Sequence, residues 1–111
     1  MKNYVQPGNT ITLIAPYAVT SGDGLLVGSI FGVAAGDAAN GEIVEATLTG
    51  VYDLKKVGNQ TWNAGNRIYW DNTARETTKT ATGNTLIGVA VEDVGGLATD
   101  TIGRVRLNGT F

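Results

Sequence analysis

Apolar and polar positions alternate with period two through most of this chain, and no stretch shows a helical period. Thr10 to Ala15 sets Ile11 and Leu13 on one side and Thr10 and Thr12 on the other, the pattern of a half-buried strand. Pro16 ends it, and Ser21-Gly22-Asp23-Gly24 is a turn cluster. Leu25 to Ala35 is apolar on both parities, which predicts one central strand covered on both faces. From Glu42 to Leu54, Val44, Ala46, Leu48, Tyr52 and Leu54 share one parity, while Glu45, Thr47, Thr49 and Asp53 share the other. That alternation predicts one long strand, bent at Gly50.

The remainder reads the same way. Asn63-Ala64-Gly65-Asn66 is a turn, and Arg67 to Asp71 a short strand with Ile68 and Trp70 on the inner side and Tyr69 opposite. Glu76 to Ala81 is rich in Thr and lacks a large apolar residue, so it reads as a solvated edge on which Lys79 discourages further pairing. Thr82-Gly83-Asn84 reads as a hairpin turn into an apolar strand, Thr85 to Val91. Ile102 to Leu107 closes the chain with Arg104 and Arg106 on its outer side. The only helical expectation is a single turn near Gly96 to Thr99. The fold class is therefore all-β, a small curved barrel or sandwich of about eight short strands. Residues 1–9 form an extended arm and 10–111 a single β domain.

Two words nearly repeat, Phe31-Gly32-Val33-Ala34 and Ile87-Gly88-Val89-Ala90, their glycines 56 residues apart. Glycine inside a buried strand marks a bulge, a bend or a close backbone approach. The words read either as equivalent strands of an old duplication or as a chance match of common residues.

Composition supports the β reading, with 16 Gly and 15 Thr but only two Pro in 111 residues. It also narrows the chemistry. Cysteine and histidine are both absent, which removes disulfides, thiolate metal sites, the commonest general base and the usual activator of a serine nucleophile. The expectation is a protein without catalytic residues, cofactor or metal. Residues 1–54 carry one base against five acids, a net of −4, while 55–111 carry seven bases against five acids, a net of +2. This polarity favours head-to-tail contacts between copies, or is a solvated distribution without a partner. No basic nucleic-acid footprint is present, and no apolar segment is long enough for a membrane helix. The amino-terminal residues lack the apolar core of a signal peptide, so the expectation is a soluble protein.

Candidate chemistry is thin. A phosphate-binding loop is missing, since Lys79-Thr80 follows Thr77-Thr78 rather than glycines. Glu42 with Glu45, and Glu92 with Asp93, are paired carboxylates, but strand alternation turns Glu42 and Glu45 to opposite faces. Trp62 and Tyr69 are left as candidates for an exposed surface, serving an interface or stacking on a ligand.

Six words in fixed order then carry a resemblance. They are Tyr4-Val5-Gln6-Pro7-Gly8, Gly28-x-x-Phe31-Gly32-Val33-Ala34, Gly50-Val51-Tyr52-Asp53-Leu54-x-Lys56, Ile68-Tyr69-Trp70-Asp71, Thr82-Gly83-Asn84-Thr85-x-Ile87-Gly88-Val89-Ala90 and Val105-Arg106-Leu107-Asn108-Gly109. Together they resemble a family of small phage and prophage proteins long known only as a domain of unknown function (DUF2190). The family is associated with capsid cement, or head decoration, in tailed phages. Some members carry a label as RecA/RadA-like recombinases, which the missing nucleotide loop contradicts. The resemblance implies a non-enzymatic virion protein on the outer capsid surface, made in the host cytoplasm. Its partners would be the major capsid protein and neighbouring copies of itself, as a homotrimer at local three-fold positions. Two alternatives are a carbohydrate- or receptor-binding decoration module using Trp62 and Tyr69, and a small carboxylate-based hydrolase. The arm is the first place to look for contacts, because Tyr4, Val5, Gln6 and Pro7 have no partner strand nearby and can add to a neighbour's sheet edge or pack on their own domain.

Overall fold

The computed structural model describes residue 3 and residues 8–109. These form nine strands and no helix: β1 (Thr10–Ile14), β2 (Gly24–Val27), β3 (Ile30–Ala34), β4 (Ile43–Thr47), β5 (Val51–Lys55), β6 (Arg67–Asp71), β7 (Glu76–Thr78), β8 (Thr85–Ala90) and β9 (Ile102–Leu107). The first four make one antiparallel sheet in the order β1-β4-β3-β2, and the rest make a second in the order β5-β9-β8-β6-β7. The fold is all-β, as the alternation predicts.

The chain traces the same path twice. With β5, β9, β8 and β6 set against β1, β4, β3 and β2, each sheet repeats the other's pairing, and β7 is extra. Gly32 lies opposite Leu25 and Gly88 opposite Ile68, so the two glycine words occupy equivalent strands. The loops agree as well. Val19 bridges Ala38 in one half and Trp62 bridges Val94 in the other. The Gly22 and Gly65 amides donate to the carbonyls of Ala34 and Ala90 at 2.8 and 2.7 Å, and both glycines have φ of 92°. The Ser21 and Ala64 amides donate to the carboxylates of Asp37 and Asp93 at 2.9 and 2.8 Å.

Each sheet buries one face in its own half. In the first, Leu25, Ala34, Val44 and Ala46 lie on that face, and in the second Leu54, Ile68, Ala90 and Val105, all buried. The halves then meet asymmetrically. Phe31, Val33 and Gly24 lie on the opposite face of the first sheet, and Trp70 of β6 covers it. Its ring is 5.1 Å from that of Phe31 at an angle of 52°, and a Cβ on Gly24 would fall 2.9 Å from it. A tilted aromatic pair adds about 0.5–1.5 kcal/mol beyond the area it buries.

This arrangement corrects several expectations. Within Leu25 to Ala35, Leu25 and Phe31 to Ala34 are buried on both faces, but the segment is a hairpin of β2 and β3 with an exposed tip at Gly28 and Ser29 rather than one strand. Gly28, at φ 60°, opens its two-residue loop with Ser29, the backbone that a type II′ turn takes from glycine. Glu42 to Leu54 is likewise two strands, β4 and β5, in different sheets. Gly50, at φ 114°, lies where the chain leaves one half for the other, and the inward parity carries across because β5 repeats the place of β1.

The Thr-rich β7 is an edge in strand order but is not solvated. Thr77 is fully buried and donates to the Lys55 carbonyl at 2.7 Å, while Gln60 accepts from the Lys79 amide at 2.7 Å. Segment 55–60 covers that edge. Thr82-Gly83-Asn84 does not close a hairpin, because β6 lies between β7 and β8. Near Gly96 to Thr99 the chain makes one turn and no helix, closed by the Asp100 amide donating to the Leu97 carbonyl at 3.1 Å, with the Asp100 carboxylate accepting from the Leu97 amide at 3.0 Å.

Candidate functional site

A cavity of about 300 Å³ lies at the junction of the halves, with Tyr17, Asp23 and Gly24 on one side and Lys55, Trp70 and Arg75 on the other. The Tyr17 hydroxyl and the Trp70 indole N–H both donate to the Asn72 side-chain oxygen, at 3.0 and 3.1 Å. The Arg75 guanidinium stacks 4.1 Å above the Tyr17 ring. Burial pushes the Tyr17 hydroxyl above its ordinary pKa. The Asp23 carboxylate accepts from the Thr20 amide and hydroxyl at 2.9 and 3.1 Å, which commits it to the preceding turn.

The other acids of interest are also engaged structurally. Glu42 accepts from the Ala39 amide at 2.7 Å, and Glu45 accepts from the Thr12 hydroxyl. Arg104 holds Asp53 at 2.9 Å and Glu92 at 3.5 Å. Hydrogen bonding from Arg104 keeps the Asp53 carboxyl below the usual carboxylate range and raises the guanidinium in turn. Among the described residues no group of three His, Cys, Asp or Glu side chains is placed to hold a metal.

Trp62 departs from its expected exposure, with a relative exposure of 0%. Its indole N–H donates to Gln60 at 2.8 Å, and its ring fills the space over β9 that Gly103 leaves, where a Cβ would run into the ring. Trp62 is therefore a core residue. The Lys56 ammonium lies 5.7 Å from the ring centroid and donates to the carbonyls of Val57 and Asp100 at 2.9 and 3.0 Å. Burial lowers the Lys56 pKa, partly opposed by the charge of Asp100. The alternation misses this buried lysine, and the one signal of its neighbourhood is a glycine at an inward position of β9.

Tyr69 is half-buried on the outer face of the second sheet, opposite Leu86 and Thr78. On the same face Val51, Arg106, Val89 and Arg67 form a row across four strands. Tyr4, Val5, Gln6 and Pro7 lie outside the described residues.

A model of the phage cement protein family matches residues 5–107, nearly the whole chain. The chain belongs to the phage cement protein family. Cement-family membership makes it a structural protein of the phage capsid, and the two-sheet body is the form that role takes here. No curated protein matches the chain. No solved structure matches it.

Proposed function

We propose that this chain binds the outer surface of a tailed-phage capsid and stabilises the shell against internal pressure, without catalysis. The observation that carries the proposal is the family match over residues 5–107. The internal geometry supports it. The acids that would serve a hydrolase are committed to turns, to the Thr12 hydroxyl and to the Arg104 ion pairs. The aromatic platform a sugar-binding module would need loses Trp62 to the core.

The partners are the major capsid protein and neighbouring copies of the chain, a homotrimer around local three-fold positions. Contacts repeated over a shell add up through effective concentration, so a modest affinity per copy suffices. The amino-terminal arm, with Tyr4, Val5, Gln6 and Pro7, and Tyr69 on the outer face are the proposed contact residues. Mixing purified protein with expanded, undecorated shells tests the reading. Saturable co-sedimentation is expected, and protein remaining in the supernatant at shell concentrations far above the micromolar range would overturn it.

A further inference from the structure

In the first half, the face of β2 and β3 that carries Gly24 and Val33 is covered by Trp70 of the second half. The equivalent face of β6 and β8 carries Arg67 where Gly24 stands and Val89 where Val33 stands. No described residue covers it. It is a groove of about 290 Å³ with Leu86 and Val89 along it, the buried Leu107 at one end and Arg67 and Arg106 at its rim. Leu86 is 42% exposed, and neither arginine has an ion-pair partner among the described residues. An apolar floor with arginines at the rim and Tyr69 alongside has the composition of a protein interface, not of a solvated sheet face.

A complementary patch lies on the first half. Ile14 and Ile43 are cross-strand neighbours at the end of β1 and β4, with exposures of 57% and 68%. Glu45 and Thr12 lie next on the same face. The patch is apolar with an acidic neighbour, on the half (residues 1–50) that has four acids against one base, a net of −3, and the groove is apolar with arginines, on the half (residues 51–111) that has seven bases against six acids, a net of +1. A copy's own first sheet meets Trp70 on the buried face of the second sheet, and among the described residues none of the copy's own fills the outer groove.

We infer that the Leu86–Val89 groove of one copy receives the Ile14–Ile43 patch of the next, with Glu45 facing Arg67 and Arg106. The contact joins unlike surfaces, so it is heterologous and closes into a ring where the rotation allows. The inference deepens only the self-association part of the proposed function, and it concerns the free protein.

The chain has no cysteine, which makes its own cross-linking a clean test. Ile43→Cys protein is mixed with Leu86→Cys protein under mild oxidation, and the mixture should give disulfide-linked dimer about ten-fold faster than either variant alone, as a preformed contact raises the local thiol concentration. Equal rates in mixture and single variants would overturn the inference. In sedimentation velocity on the full chain at low salt, Arg67→Glu with Arg106→Glu should abolish the concentration-dependent association of the unmodified protein, and Glu45→Lys chains should restore it when mixed in. Association unchanged by the arginine variants, or an unmodified protein that stays monomeric, would also overturn it. Shell co-sedimentation separates the two readings. Mixed cross-linking without shell binding sinks the capsid proposal alone. Shell binding lost in the arginine variants, with no self-association of the unmodified chain, assigns the groove to the shell and sinks this one.

Discussion

The two halves solve one packing problem with different residues. Val19 and Val44 in the first half correspond to Trp62 and Gly103 in the second, by the bridges Val19–Ala38 and Trp62–Val94 and by the pairs Leu13–Val44 and Leu54–Gly103. Two medium side chains are exchanged for one very large side chain and none at all. Close packing conserves total volume, not the identity at either position, so a repeated backbone hides its repetition from the sequence. At the rim the exchange is one of charge. Thr12 opposite Glu45 becomes Asp53 opposite Arg104, and Thr47 becomes Arg106. The second half thus gains the arginine face, while the first keeps an acid among threonines.

The largest effects expected are those that break this difference in packing. Trp62→Ala should cost about 3–5 kcal/mol and Val19→Ala about 2 kcal/mol, measured as the change in unfolding free energy in urea. Comparable losses would mean that the halves do not pack as described. Gly103→Val should be destabilising by at least about 3 kcal/mol, because its side chain enters the space of the Trp62 ring. Adding Trp62→Val recreates the first half's pair and should recover most of that loss, a coupling that a double-mutant cycle reads directly.

The glycine words give a sharper contrast of intermediate size. A Cβ on Gly32 would meet the Ala46 Cβ at 2.9 Å, whereas one on Gly88 would run into the Arg106 carbonyl. The Ala46 Cβ is as fixed as the backbone that carries it, but the overlap at Gly88 is much the deeper, so Gly88→Ala should lower the melting temperature by several degrees more than Gly32→Ala.

The smallest effect is electrostatic and belongs to the second half alone. The Asp53 carboxyl is held low by Arg104, so its contribution to stability is present above the ordinary carboxylate pKa and is lost as pH falls through the folded value. Asp53→Asn should therefore lower stability slightly at neutral pH and flatten the acid limb of a stability-against-pH curve by the same amount, which is small because the pair is exposed and screened. Thr12→Val, at the matching position of the first half, should leave that limb as it is.

What could be read from the sequence was local. Ile68 and Trp70 inward with Tyr69 outward follows from three consecutive residues on one strand, and the structure agrees. The hairpin at Gly28-Ser29 was hidden because both parities of β2 and β3 are apolar, one face serving its own half and the other Trp70. Trp62 could not be placed because the gap it fills is made by Gly103 on a distant strand, and the alternation around position 62 carries no trace of that. Lys56 was equally illegible, since two backbone carbonyls, not an acid, receive its ammonium. The candidate surface is a property of the register of four strands, and no single word of the sequence spells the row from Val51 to Arg67.

The proposed role of the chain as capsid cement is tested most directly by the disruption temperature of expanded shells. Shells saturated with the protein should come apart several degrees above undecorated shells, with the shift titrating as sites fill. Shells that bind the protein and disrupt at the same temperature as bare ones would contradict it.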